Sequence, residues 1–139
     1  MERTFIIPGN FTYAQKEETQ MSLSDFLREI GVPPNLSGYR YIKDAIELML
    51  SCDDGAEHAV SKLIYPELAA KYHKTKASIE KAIRNAIEAA WMRGPERMRQ
   101  TIFRNSLKDF KNRPTNTEFL ATLAAYLSGW DFSMVAEGD

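Results

Sequence analysis

The sequence predicts an all-α protein, an orthogonal bundle of about six or seven helices around one core, and three observations carry that prediction. Apolar residues recur at intervals of three and four rather than two, most clearly at Ile79, Ala82, Ile83, Ala86, Ile87, Ala90 and Trp91. Glycine and proline stand between the periodic runs, at Gly31, Pro33-Pro34, Gly55, Pro66, Gly94-Pro95 and Gly129, where helices start or stop. No internal repeat, heptad array or low-complexity tract competes with this pattern. At 139 residues, 44% hydrophobic and 27% charged, the chain has the composition of one ordinary globular domain.

Residues 1–21 form an appendage of uncertain structure: a β-prone run from Thr4 to Ile7, a stop at Pro8-Gly9, then the polar stretch from Gln15 to Gln20. The helical domain is expected over 22–128, with 129–139 as a tail. Ser22 or Ser24 can cap a first helix whose Leu23, Phe26, Leu27 and Ile30 share a face, and Gly31 ends it before the turn at Val32-Pro33-Pro34. A second helix, from Tyr39 to about Ser51, places Tyr41, Ile42, Ala45, Ile46, Met49 and Leu50 on one side, and Cys52-Asp53-Asp54-Gly55 breaks it. A third runs from about Ala56 to Ile64. Pro66 lacks an N–H and interrupts it, but suits the first turn of a short helix from Pro66 to Tyr72.

After the polar turn at His73 to Thr75, the longest periodic run begins at Lys76 and continues to Gly94-Pro95. Glu96 to Phe103 follows as a further amphipathic segment, with Met98, Ile102 and Phe103 on its apolar side. Arg104 to Pro114 reads as a long loop. Thr115 or Asn116 then caps a last helix that turns Phe119, Leu120, Leu123, Ala124 and Leu127 inward and ends at Gly129.

The charge is unevenly spread. The whole chain has a net charge of -1, yet residues 60–113 hold 13 Lys and Arg against 5 Asp and Glu. A basic middle between acidic ends can turn an electropositive face towards a polyanion. Within that stretch, a short helix, a turn of about three residues and a longer helix make the shape of a helix-turn-helix, in which the first helix braces and the second protrudes. On a wheel, Ala77, Lys81, Arg84, Asn85 and Glu88 point away from the apolar side of the second helix. Glu80, Lys81 and Arg84 can reach base edges in a major groove, where Lys and Arg donate to guanine and Glu accepts from cytosine. Lys74 and Lys76, at the turn and helix start, suit phosphate contacts because the first N–H groups of a helix favour anions.

Other residue groups read as structural. His58 and His73 have no acidic or cysteine neighbours at ligand spacing, so no metal or cofactor is expected. Cys52 is the only cysteine, which leaves no intramolecular disulfide and fits a reducing cytoplasm; the adjacent Asp53 and Asp54 disfavour its thiolate. Tyr65 and Trp91 fall at core positions rather than as stacking platforms. No catalytic constellation is visible, and there is neither an export signal nor the run of about 18 apolar residues that a membrane helix needs.

Five blocks in order carry a resemblance: Ile30-Gly31-Val32-Pro33, Gly38-Tyr39-Arg40-Tyr41, Leu63-Ile64-Tyr65-Pro66-Glu67-Leu68-Ala69, Glu80 through Gly94, and Arg113-Pro114-Thr115-Asn116-Thr117-Glu118-Phe119. Together they resemble the C-terminal DNA-binding effector domain of the stage zero sporulation protein A family of response regulators. The resemblance implies an all-helical domain that binds short double-stranded DNA boxes, often as tandem dimers, and touches RNA polymerase sigma factor through the region after the recognition helix. Carried onto this chain, the base-reading positions are Ser78, Glu80, Lys81 and Arg84. Lys74, Lys76 and Asn85 are expected at the DNA backbone, and Arg97, Arg99, Arg104, Lys108 and Lys111 at sigma factor or backbone.

Glu80 and Arg84 keep the residue type that the family shows. Ser78 and Lys81 depart from the expected arginines, which puts the identity of the DNA box in question. About 21 residues precede the match where the family normally carries a receiver domain, and Met1 favours a stand-alone relative outside phosphorylation control over a shortened chain. The expectation is a bacterial, cytoplasmic regulator that binds DNA by sequence. The alternative is an interaction module that titrates the full-length relative or its sigma factor without strong DNA binding.

Overall fold

A computed structural model describes residues 4–7, 19–51, 60–103 and 113–129. Among them are two short strands, β1 (Thr4–Ile7) and β2 (Thr19–Ser22), and six α-helices: α1 (Leu23–Glu29), α2 (Ser37–Leu50), α3 (Tyr65–Tyr72), α4 (Lys76–Arg93), α5 (Glu96–Phe103) and α6 (Asn116–Ser128). The all-α bundle read from the sequence is the architecture observed.

Local chemistry explains most helix ends. Ser22 sits in extended backbone and its side chain accepts from the Asp25 N–H, opening α1. Thr115 and Glu118 form a reciprocal capping box at α6, with Glu118 N–H donating to Thr115 Oγ1 at 3.1 Å and Thr115 N–H donating to Glu118 Oε1 at 2.8 Å. Gly31, at φ +99°, takes the left-handed conformation that stops α1. Two expectations shift. α2 starts at Ser37, two residues earlier than Tyr39, and its preceding Leu36 gives no side-chain cap.

The interruption expected at Pro66 is instead a change of pitch. Val60–Ile64 is a π-turn that runs straight into α3, with Ile64 still in right-handed helical geometry (φ −69°, ψ −51°). Pro66 cannot make the i to i−4 bond to Lys62, and a wider turn tolerates that gap without breaking the helical path. The proposed start of this element at Ala56 lies outside the described residues, as do Cys52, His58 and most of the loop from Arg104 to Pro114.

One core unites these elements. Phe26 and Leu27 from α1, Ile42 and Ile46 from α2, Ile79, Ile83 and Ile87 from α4, and Phe119, Leu120 and Leu123 from α6 are all fully buried. The N-terminal segment joins it. β1 pairs antiparallel with β2 in the register Phe5 opposite Met21, and both of these side chains enter the core cluster. The two residues opposite each other bury one face of the hairpin, so β2 leads directly into α1 with its apolar side already committed.

The long helix α4 packs most extensively on α2, through small residues. A Cβ at Gly38 would meet the Ala82 carbonyl oxygen and lie 2.7 Å from Ala86 Cβ. At the C-terminal end of α4, a Cβ at Gly31 would stand 2.5 Å from Gly94 Cα. Backbone thus lies on backbone at the middle of α4 and at its C-terminal end, which fixes its tilt across α2 and the α1 turn and leaves its opposite face outward.

Candidate nucleic-acid interface

α3 and α4 form the helix-turn-helix pair. Leu68 and Tyr65 on α3 and Ile79 and Ile83 on α4 are buried, so the two helices meet through apolar contacts. His73 ends α3 in left-handed geometry at φ 55°, ψ 45°. That conformation is uncommon for a residue with a Cβ, and here it reverses the chain within one residue. Lys74 N–H donates to the Ala69 carbonyl at 3.0 Å, and Thr75, back in extended conformation, accepts from Ser78 N–H at 3.0 Å. Lys74 and Thr75 therefore sit at a closed turn whose side chains face outward.

α3 is anchored from behind. Lys71 pairs with Asp44 on α2 at 2.8 Å, and the Tyr72 hydroxyl donates to the same carboxylate oxygen. Burial pushes the Tyr72 phenol far up from its ordinary value, and the hydrogen bond to Asp44 adds to the shift, so this phenol is neutral over the physiological range. Tyr41 packs against the Tyr72 ring at 4.8 Å.

Ser78, Glu80, Lys81 and Arg84 are exposed on the outward side of α4, as are Lys74, Lys76 and Asn85. They do not form one undivided row. Lys76, Glu80 and Arg84, at intervals of four, line a cleft of about 430 Å³ together with Ser61, Tyr65 and the segment Arg113 to Thr117. Ser78, Lys81 and Asn85 lie on the helix outside that lining. Glu88 is half-buried rather than fully outward, and it binds Arg113 with a 2.6 Å ion pair.

The cleft wall is braced by one amide. Asn116 Nδ2 donates to the Tyr65 hydroxyl at 3.1 Å and to the Glu80 carbonyl at 2.9 Å, which ties α6 to both helices of the pair. Burial raises the Tyr65 phenol above its ordinary value; the Asn116 hydrogen bond pulls it back down, nearby Glu80 pushes it up and Arg84 pulls it down. Lys76 Nζ reaches Ser61 Oγ at 3.4 Å. Arg113 and Asn116 stand in sequence far from α4, and no periodicity joins them to it; only the fold brings them there.

The remaining charged residues divide. Arg97 is half-buried on α5, and its carbonyl accepts from Thr101 Oγ1 at 2.9 Å. Arg99 lies on the same helix, whereas Arg104, Lys108 and Lys111 are outside the described residues. Trp91 is half-buried with its ring edge-on to Phe103 at 5.2 Å, and Tyr65 is buried, so both pack against the core. Among the described residues no group of His, Cys, Asp and Glu could hold a metal ion, and no helix is long and apolar enough to cross a membrane.

Compared with models of known protein families, residues 23–127 match the one described as sporulation initiation factor Spo0A C terminal.

Proposed function

The chain belongs to the Spo0A C-terminal family of DNA-binding effector domains, and we propose that it is a transcription regulator that reads duplex DNA by sequence, with α4 lying in the major groove. The observation that carries this reading is the outward face of α4. A helix held by glycine contacts on one side presents Ser78, Glu80, Lys81 and Arg84 on the other, within its first three turns. A major groove is wide enough to admit one helix, and the N-terminal residues of that helix come closest to base edges.

The roles follow from the chemistry. Arg84 offers a planar fork for guanine, Glu80 accepts from cytosine, Lys81 gives a less directional donor and Ser78 a short hydroxyl. Lys74, Lys76 and Asn85 contact the sugar-phosphate backbone around them and set the register. Arg97 and Arg99, with Arg104, Lys108 and Lys111 after them in sequence, supply a basic stretch for a sigma factor or flanking backbone. Two copies on tandem boxes would act in the cytoplasm as one regulatory unit.

Selection of bound sequences from a random duplex pool, followed by anisotropy titration at two salt concentrations, tests the reading. A defined motif should emerge. Affinity for it should fall steeply with salt, because log K drops by about 0.9 for each phosphate neutralised per decade of salt. Absence of binding to any duplex at low salt would overturn the proposal and favour a module that acts through protein contacts alone.

A further inference from the structure

Base reading takes Glu80 and Arg84 from the α4 side of the cleft and leaves its other side, Arg113 and the first turn of α6, without a role. The cleft lining carries three cations, Lys76, Arg84 and Arg113, against one carboxylate, Glu80, and it ends on the first turn of α6. The capping box of α6 occupies the N–H groups of Thr115 and Glu118, while those of Asn116 and Thr117 make no hydrogen bond among the described residues. Asn116 and Thr117 are themselves among the residues that line the cleft. A concave site that holds the Arg113 guanidinium and unsatisfied backbone donors fits a tetrahedral oxyanion better than it fits a base edge.

Arg113 is held in a way that lets it change partner. Its ion pair with Glu88 has both side chains more than two-fifths exposed, at 45% and 42%. Such solvated pairs contribute little to stability, so exchanging the carboxylate for another oxyanion costs little. A phosphodiester presents to a guanidinium the same two-oxygen edge that Glu88 offers. The wall around the exchange is firm, because Asn116 binds α3 and α4 at once.

Resting on the reading that α4 docks on DNA, we infer that this cleft receives one backbone phosphate of the bound duplex, clasped by Arg113 and the first turn of α6, and that Glu88 competes with that phosphate for Arg113. The subsite is made by Arg113 and the first turn of α6, and it leaves Glu80 and Arg84 of the same cleft to the bases. It gives the domain an anchor on a third element besides the helix-turn-helix. Glu88 makes the anchor conditional, since Arg113 is neutralised until a phosphate displaces the carboxylate.

The test uses the whole chain and the duplex it selects. Arg113→Ala should weaken binding about tenfold, the scale of one hydrogen bond to a charged group, and should lower the salt slope by about one. The selected motif should stay the same. Glu88→Gln should tighten binding, because it frees Arg113 without removing it. Arg113→Lys should keep most of the salt slope, which guards against a variant that fails to fold. A duplex scanned with single neutral methylphosphonates should reveal one position where the wild type loses affinity and Arg113→Ala loses no more.

If Arg113→Ala binds as the wild type does, or Glu88→Gln weakens binding as much as Arg113→Ala, the pair is a brace between α4 and the start of α6 and the inference falls. A methylphosphonate scan with no position coupled to Arg113 overturns it equally. Should the wild type bind no duplex at all, the fault lies with the DNA-binding reading itself, and the subsite falls with it.

Discussion

Gly38→Ala ought to stabilise a helix by the usual rule and should instead destabilise this protein. Gly38 is the second residue of α2, and its backbone does not need a positive φ. Replacing such a glycine by alanine is worth up to about 1 kcal/mol in helix propensity, with part of that gain coming from a less flexible unfolded chain. The structure reverses the sign. The new methyl would overlap the Ala82 carbonyl oxygen and stand 2.7 Å from Ala86 Cβ, on the neighbouring long helix. Carbon atoms pack best at about 3.5 to 4.0 Å, so α2 and α4 would have to separate by roughly 1 Å, and the obstructing atoms cannot rotate aside because one is backbone and the other is a Cβ.

Overpacking of this kind costs about 1 to 3 kcal/mol, which offsets the propensity gain and leaves a net loss of up to about 2 kcal/mol. Urea denaturation followed by circular dichroism measures it. With a slope of about 2 kcal/mol per molar for a small protein, the midpoint should fall by up to roughly 1 M while the slope stays the same. A second readout is DNA affinity under conditions where the variant is fully folded. Because α4 is the element displaced, affinity should fall as well. A midpoint that rises would refute the reasoning, since it would mean that α2 and α4 do not lie in backbone contact at this point.

Four further outcomes follow from the same geometry. Arg84→Ala should cost about 1 to 3 kcal/mol on the preferred duplex and relax the selected motif at one base pair, whereas Lys74→Ala should weaken all sequences alike and lower the salt slope by about one; identical behaviour of the two would remove α4 as the reader. Thr115→Ala should lower stability by about 0.5 to 2 kcal/mol through loss of the α6 cap, seen in the urea midpoint. The Tyr72 phenol is raised by burial and by its bond to Asp44, so the fold favours the protonated form: its contribution is fully present below the ordinary tyrosine value of about 10 and is lost as pH climbs through the higher folded value. Urea midpoints should therefore drop as pH is raised above about 10, and less so in Tyr72→Phe. Ser78→Arg with Lys81→Arg should shift the selected motif without changing the urea midpoint, because both side chains are exposed; an unchanged motif would mean that neither position meets a base.

The helices were legible because each carries its own evidence within a few residues. Ile79, Ile83, Ala86, Ile87 and Ala90 mark the buried side of α4 by spacing alone, and Ser22 and Thr115 announce their helix starts. What spacing cannot give is contact between distant segments. Nothing near Gly38 in sequence tells that it touches Ala82, and nothing near Gly31 tells that it touches Gly94. The hairpin was hidden for a related reason: Thr4 to Ile7 is apolar enough for a strand, but its partner, Thr19 to Ser22, reads as a polar lead-in to α1, and pairing is a property of the two together. At the candidate site the sequence singled out the side chains on α4 but not the wall opposite them. Asn116 is 51 residues from Tyr65 and 36 from Glu80, and its capping position explained it locally without need of either.

α4 keeps these two kinds of information on separate sides. The apolar side is seated on α2 and the turn after α1, and substitutions there are constrained by atoms already in contact. The outward side is itself divided. Lys76, Glu80 and Arg84 border the cleft under α6, while Ser78, Lys81 and Asn85 stand outside it. Two of the residues outside the cleft, Ser78 and Lys81, are also the two that depart from the arginines expected in the family. On the proposed reading, those changes alter what is read in the groove while leaving the cleft and its phosphate anchor untouched. A domain arranged this way can change its DNA box at little cost to folding or to general affinity. On that reading, the packed side of α4 decides how the helix is held, and the choice of DNA sequence is left to a few exposed side chains.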